Sequence, residues 1–481
     1  MKKIIYAVGG LLGLLIVVLV LALVFAGSFL TNEFLVKQIE SAISVRANVD
    51  KVNINLFSAL SSIEVEGIQL AYRDEVANKG TPLSERKSIS SPVLSIKKAD
   101  IKLSLLGILL KKFELKKLVI VEPKVSIIMF ENGSNNLQPL FKAPAIVNGE
   151  PNPALTPEAI AERKREEAEA KAEADKEPSK PFSAKDIPVA IKMGLVGVQN
   201  GDIQITMKKT GQVILLKALD FELKNIDIDG SDLKDHNHVG VNFDTEASIL
   251  GRTKKEAAKF ILETEGDVTP FIEKSGLVNP KVDYEVTMES GSFLSGFAAF
   301  DAISGNLPLL SQAGLKLDKL TEKAELKKDV SFKVSYSNGK VTFLDEPTFP
   351  TKNYDLQINK GSYLVITNNT HEMKMGVLYD EDESKKSIAG VDEKIAAATK
   401  GQGNPKELRN KLLGNVIKGD RINIPFKTYG DIRNPNVSLG VEIGSLTSLV
   451  GGAVKDLIKG KASDALKSVP GAGDALKKFG F

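Results

Sequence analysis

Short runs in which apolar and polar residues alternate recur along most of this 481-residue chain, and they commit it to a fold built on β-sheet. Successive strand side chains point to opposite faces, so such a run makes one greasy and one solvated face. In VNINLF, Val52, Ile54 and Leu56 share one face and Asn53 and Asn55 the other. In SIEVEGIQL, Ile63 and Val65 alternate with Glu64 and Glu66, and Gly67 then breaks parity as a bulge does. Ile101, Leu103 and Leu105 alternate in ADIKLSL, and FELKKLVIVEPKVSIIMF follows the same rule. The pattern resumes at IKMGLVGVQNGDIQITMKK and runs on through VILLKALDFELKNIDI, HVGVNFDTEASIL, AKFILETEGDV and KVDYEVTMES. Later runs carry Phe332, Val334 and Tyr336, then Ile422, Ile424 and Phe426. Asn338-Gly339 predicts a tight hairpin turn, and Asn200-Gly201 is read the same way.

An amphipathic sheet has to cover its apolar face. Few helices are predicted between the strands, which leaves a sandwich, a closed barrel or a curled, partly open groove. Periodicity alone does not separate these. The helices expected are NEFLVKQIESAIS, with Leu35, Ile39 and Ile43 on one face, the stretch SGSFLSGFAAFDAISG, and two segments near the end, ELRNKLLGNVIKG and SLTSLVGGAVKDLIKGKASDALKS. The acidic run Asp380–Glu383 reads as a loop tip.

Between Lys3 and Glu33 no charge occurs, and IIYAVGGLLGLLIVVLVLALVFAGSFL is long enough to cross a bilayer. A secretory signal has an apolar region of only about 7–15 residues. The expectation is therefore an uncleaved single-pass anchor; the competing reading is a signal peptide cut after Ala26. Lysines ahead of the span put Met1 in the cytoplasm and the bulk on the far side, the periplasm of a double-membrane envelope. The expected organisation is an anchor at 1–31, a helix and sheet at 32–141, a linker at 142–188, a continued β-groove at 189–441 and a helical tail at 442–481. The linker is proline-rich and then charged and alanine-rich (ERKREEAEAKAEADKEPSK), a composition that buries no core.

With 64 basic against 61 acidic side chains, no concentrated basic surface for nucleic acid is expected. The chain has no cysteine and three histidines, His236, His238 and His371, so thiolate chemistry is excluded and histidine chemistry has little material. Asp227, Asp229, Asp232 and Asp235 with His236 and His238 are the densest ligand-like cluster. The EF-hand spacing fails, since positions six and twelve hold Asp232 and His238, and a polar hairpin turn is the expectation. His371 is read as an exposed side chain at a strand end. No phosphate-binding loop, dinucleotide fingerprint or hydrolase elbow occurs, so no cofactor, metal or catalytic residue is assigned.

The segment Asn32–Phe141 resembles the N-terminal region of AsmA-like proteins. The resemblance rests on the order of parts after the apolar stretch, and on Leu105-Leu106, Leu109-Leu110, Leu115, Leu118, Ile120, Pro123 and Val125 followed by Gly133, Asn136 and Leu137. Near the other end, Ile424, Pro425, Phe426, Gly430, Pro435 and Val437 match that family's closing strand pair. SVRANV stands where a small-Gly-Arg turn is usual, the charged linker departs from the pattern, and the middle is unmatched. The resemblance implies an inner-membrane-anchored periplasmic protein with an elongated, curled antiparallel sheet, related to bridge-like lipid transfer proteins that move phospholipid toward the outer membrane. Candidate lipid contacts are then Val52, Ile54, Leu56, Ile63, Val65, Ile101, Leu103, Leu105, Val282, Tyr284, Val286, Phe332, Val334, Tyr336, Ile422, Ile424 and Phe426. About 16 strands at roughly 4.8 Å give a sheet of roughly 75 Å, so a shuttle, a partial bridge or an oligomer is required to span an envelope. The alternative is an envelope scaffold or outer-membrane assembly factor with a solid β core.

Overall fold

Alternating runs pair into ladders wherever their apolar faces can be stacked on one side. A computed structural model describes residues 31–55, 60–104, 114–147, 150–176, 182–187, 190–295, 322–352, 354–399, 404–413, 416–431 and 436–439. The protein is mainly β with a few helices, and its large mixed sheet does not close into a barrel. The expected membrane anchor, the helical tail and residues 296–305 of SGSFLSGFAAFDAISG lie outside the described residues; in its described part, residues 290–295, the expected helix is corrected to a short strand, Phe293–Leu294. Among the described residues no helix is long and apolar enough to cross a membrane.

Contacts divide the chain into two units, Met1–Glu256 with Leu262–Val282, and Ala257–Ile261 with Asp283–Phe481. In the first unit, helix α1 (Asn32–Ala42) is capped by the Thr31 side chain, which accepts from the Phe34 amide. Strands β1 (Val45–Asn48) and β2 (Lys51–Asn55) both pair with β3 (Leu60–Tyr72). A four-residue helix α2 (Glu75–Asn78) follows, then β4 (Leu94–Ser104) and β5 (Glu114–Met129).

The linker behaves as a crossover. It contains helix α3 (Pro157–Lys176), charged along its length, and leads into β6 (Ile191–Met207), which pairs in parallel with β5 over Glu114–Met129. The expectation of a purely antiparallel sheet is corrected here. A parallel pair needs a connection of a dozen residues or more to return to the same end, and the segment after Met129 supplies it. Antiparallel order resumes with β7 (Val213–Ile228) and β8 (Asn237–Leu250). The boundary between units runs through β9 (Glu256–Phe271) and β10 (Val278–Met288).

The second unit pairs β11 (Val330–Ser337) with β12 (Lys340–Phe343) across the predicted turn, where Asn338 and Gly339 have φ of 53° and 74°. Further strands are β13 (Thr348–Pro350), β14 (Tyr354–Ile358), β15 (Tyr363–Val365), β16 (Thr370–Tyr379), β17 (Arg421–Asp431) and β18 (Asn436–Leu439). Helices α4 (Glu381–Ala398) and α5 (Pro405–Leu413) lie between β16 and β17. The supposed acidic loop tip is the start of α4. Asp380 is its N-cap, accepting from Asp382 and Glu383 amides, and acids in the first turn suit the positive end of the helix.

Asn200-Gly201 is also corrected. It makes no hairpin but sits inside β6, with Asn200 at φ 52°. It belongs to a row of interruptions. Gly67 in β3 has φ 65°, Glu122 in β5 50° and Ala218 in β7 45°. The pairs on either side place Gly67 opposite Lys97, Lys97 opposite Glu122 and Glu122 beside Asn200. Buried positions change parity at this row: Ile63 and Val65 before it, Ile68 and Leu70 after it; Ala99 and Ile101 on one side in β4, Leu94 and Ile96 on the other. Because neighbouring strands each carry an extra residue at the same level, β3, β4 and β5 keep their mutual register, and one face stays apolar along the full strand length.

Candidate functional site

The apolar face of the first unit is organised as rows that run across the strands. One row passes from Val52 through Val65, Ala99, Ile120, Val198 and Phe221 to Phe243, each the direct cross-strand partner of the next. A second passes from Ile54 through Ile63, Ile101, Leu118, Val196 and Leu223 to Val241. Between β3 and β8 such a row crosses five strand spacings, roughly 24 Å.

Cover along these rows is uneven. Val65, Ala99 and Ile120 are 0%, 0% and 1% exposed, Val198 is 8% exposed, and Phe221 is 38% exposed. At the closed end, Leu35, Val36 and Ile39 of α1 join the same core as Ile63, Val65 and Ile101. Leu137 and Leu140 add to it from the segment after β5. That segment is held by Asn136, whose side chain accepts from the Ile128 amide at 2.7 Å and donates to the Ser126 carbonyl at 2.9 Å. The Gly-x-x-Asn-Leu element therefore seals one end of the face. At the open end Phe221 stands between two apolar partners, with much of its ring in solvent.

The expected contacts divide accordingly. Ile63, Val65 and Ile101 are packed core, so as open-groove residues they are corrected. Val52 and Ile54 are half-buried beside that core. Leu103 holds the strand position opposite Leu115, while Leu56 and Leu105 lie outside the described residues. Val282 is buried. In the second unit Ile422, Ile424 and Phe426 are sealed beneath α4 and α5 with Val391, Ile395 and Leu408, a second correction. Two helices that sequence periodicity left unweighted as covers account for it. Phe332 and Val334 are buried among their own neighbours. Phe332 stacks on Phe343 at 5.5 Å and meets Phe349 edge-on at 5.6 Å. Tyr284, Val286 and Tyr336 are half-buried, and burial pushes the Tyr284 phenol up.

Sequence reasoning missed Phe221, Leu223, Val241 and Phe243. The alternation in DFELK and VGVNF marks one face, but exposure along it is uneven, with Phe221 open and Val241 buried.

The polar face carries the complementary charges, some of them buried, as Asp100 is. Lys117 meets Asp100 at 2.7 Å, and Glu222 accepts from Gln199 at 2.8 Å and from Lys224 at 2.9 Å. Burial raises the Glu222 carboxyl, but those two partners outweigh it and hold it below its usual range. The Asp227–His238 cluster is a polar turn joining β7 to β8. His236 Nδ1 lies 2.9 Å from Asp227 Oδ2, and Asp229 accepts from the Ser231 amide and hydroxyl. Among the described residues no group of three or more His, Asp or Glu side chains is arranged to hold a metal. His371 is buried rather than exposed. Its ring nitrogens lie 2.9 Å from the Gly430 carbonyl and 3.0 Å from Thr428 Oγ1, because β17 pairs directly alongside.

No protein-family model matches the chain, and no curated protein matches it.

Proposed function

We propose that this is a membrane-anchored periplasmic protein that holds lipid acyl chains on an apolar β-face and contributes to phospholipid movement between the inner and outer membranes. The observation that carries the reading is Phe221, exposed between Val198 and Phe243 in a continuous apolar row. An acyl chain laid on such a row gains about 0.8 kcal/mol per buried methylene, while its headgroup stays in water. The polar outer face and the aligned bulges favour a sheet that curls with its apolar side inward. The contact set is smaller than the alternation implied: Val196, Phe221, Leu223 and Phe243 in the first unit, with Tyr284, Val286 and Tyr336 as half-buried positions in the second. The partners in this reading are phospholipid and the inner membrane, with an outer-membrane partner or an oligomer completing the span, and no catalytic step is involved.

A second reading, a non-enzymatic envelope scaffold, is favoured by the two helix-sealed cores. Lipid extracted from the full chain in an uncharged detergent separates them when set beside the Phe221→Asp variant. Lipid around the anchor is common to both proteins. The first reading expects phospholipid in excess over the variant, and equal lipid content overturns it.

A further inference from the structure

A cleft of about 410 Å³ opens beside α1 and shares no residue with the exposed row. Four cations line it, Lys37, Arg73, Lys79 and Arg86, against two carboxylates, Glu33 and Glu40. The arginines are committed. Arg86 pairs with Glu40 at 2.9 Å, cancelling one of the acids, and donates from Nε to the Thr81 carbonyl. Arg73 pairs with Glu75 at 2.9 Å and donates to the Glu40 and Ile146 carbonyls, which ties α1, α2 and the two-residue strand Ile146–Val147 into one wall. The lysines are exposed and stand at the rim.

A further donor waits in the wall. Asn78 Oδ1 accepts from the Asp74 amide at 3.2 Å, while its Nδ2 is buried and has no hydrogen-bond partner. A buried donor without an acceptor costs about 1–3 kcal/mol, and a turn of the Asn78 amide toward the cleft would let an oxyanion relieve it. The remaining lining includes Val36, Leu83 and Val147, an apolar floor beneath the charges. We propose that this cleft binds a phosphate ester anion, the chemistry common to a phospholipid headgroup and a free phosphate, with Lys37, Lys79 and Asn78 Nδ2 as its donors. The apolar floor and the place of the cleft favour the lipid source. Helix α1 opens two residues after the apolar run ends at Leu30, which puts Lys37 within roughly 10 Å along the helix of the expected bilayer surface.

The lipid source rests on the membrane anchor of the proposed function, whereas the cleft and its test share no residue with the acyl-chain row. The full chain in uncharged detergent is titrated calorimetrically with dihexanoyl phosphatidylglycerol below its micelle concentration and, separately, with sodium phosphate. The wild type is expected to bind the lipid more tightly than phosphate. The Lys37→Gln/Lys79→Gln double variant is expected to lose about tenfold or more in affinity, and the Lys37→Arg/Lys79→Arg variant to regain it. Unchanged melting temperature in the glutamine variant separates lost binding from lost fold. Equal affinity for phosphate and lipid, both lost in the glutamine variant, supports the site and assigns it to free anions. Absence of binding by the wild type, or binding that the glutamine substitutions leave unchanged, overturns it.

Discussion

Phe221 and Ile101 sit on the same apolar face of one sheet, yet their surroundings differ enough to give opposite responses to charge. Ile101 is 1% exposed and surrounded by core, so Ile101→Asp is expected to cost more than about 4 kcal/mol and to abolish the cooperative melt. Phe221→Asp should cost only about 1–2 kcal/mol, because its ring already meets water. Thermal melts of the two variants check this, and comparable losses would mean that the face is sealed throughout. The turn at Asp227–His236 carries a pH signature. Hydrogen bonding to Asp227 raises the His236 imidazole above its usual 6.5. A raised folded value stabilises the fold fully below pH 6.5, and that contribution fades as pH rises through the folded value. His236→Gln should therefore lower the melting temperature at pH 5.5 and have little effect at pH 8.5. At this scale the alternation of Ile63, Val65 and Ile101 was legible, since it needs only a period of two. Their burial was not, because it depends on α1 and Leu137 arriving from elsewhere in the chain.

The elements owe their continuity to a row of interruptions. Gly67 holds φ 65°, and a Cβ there would lie 1.8 Å from Asp50 Oδ2, so Gly67→Ala is expected to destabilise by about 2–3 kcal/mol. Ala218 holds φ 45° on an exposed stretch of β7, where a Cβ is a penalty, so Ala218→Gly should stabilise by about 1 kcal/mol. Denaturant melts read both, and a destabilising Ala218→Gly would argue against the left-handed conformation. The Gly67 parity break was visible in SIEVEGIQL. The matching interruption at Asn200 looks like a hairpin turn from sequence, because Asn-Gly favours positive φ in a turn and in a bulge alike. The cap at Asp380 followed by three acids is ambiguous in sequence, because a helix start and a polar turn share the same residues. The parallel pairing of β5 with β6 had no local signature, since it is fixed by the length of the crossover and not by either strand.

For the whole molecule, each unit has a core closed by helices and a stretch of apolar strand face with less cover. In the first unit cover is lost along the row from Val65 to Phe221, so a hydrocarbon guest would lie across β6, β7 and β8 and not beneath α1. The most direct measurement places a photo-cross-linking benzoylphenylalanine at Phe221 in the full chain, in native membranes, with Phe130 on an exposed turn and Ile120 in the closed core as comparison sites. The account predicts phospholipid adducts by mass spectrometry at position 221, and none at 130 or 120. Position 221 free of lipid adducts, or labelled no more than position 130, would contradict it.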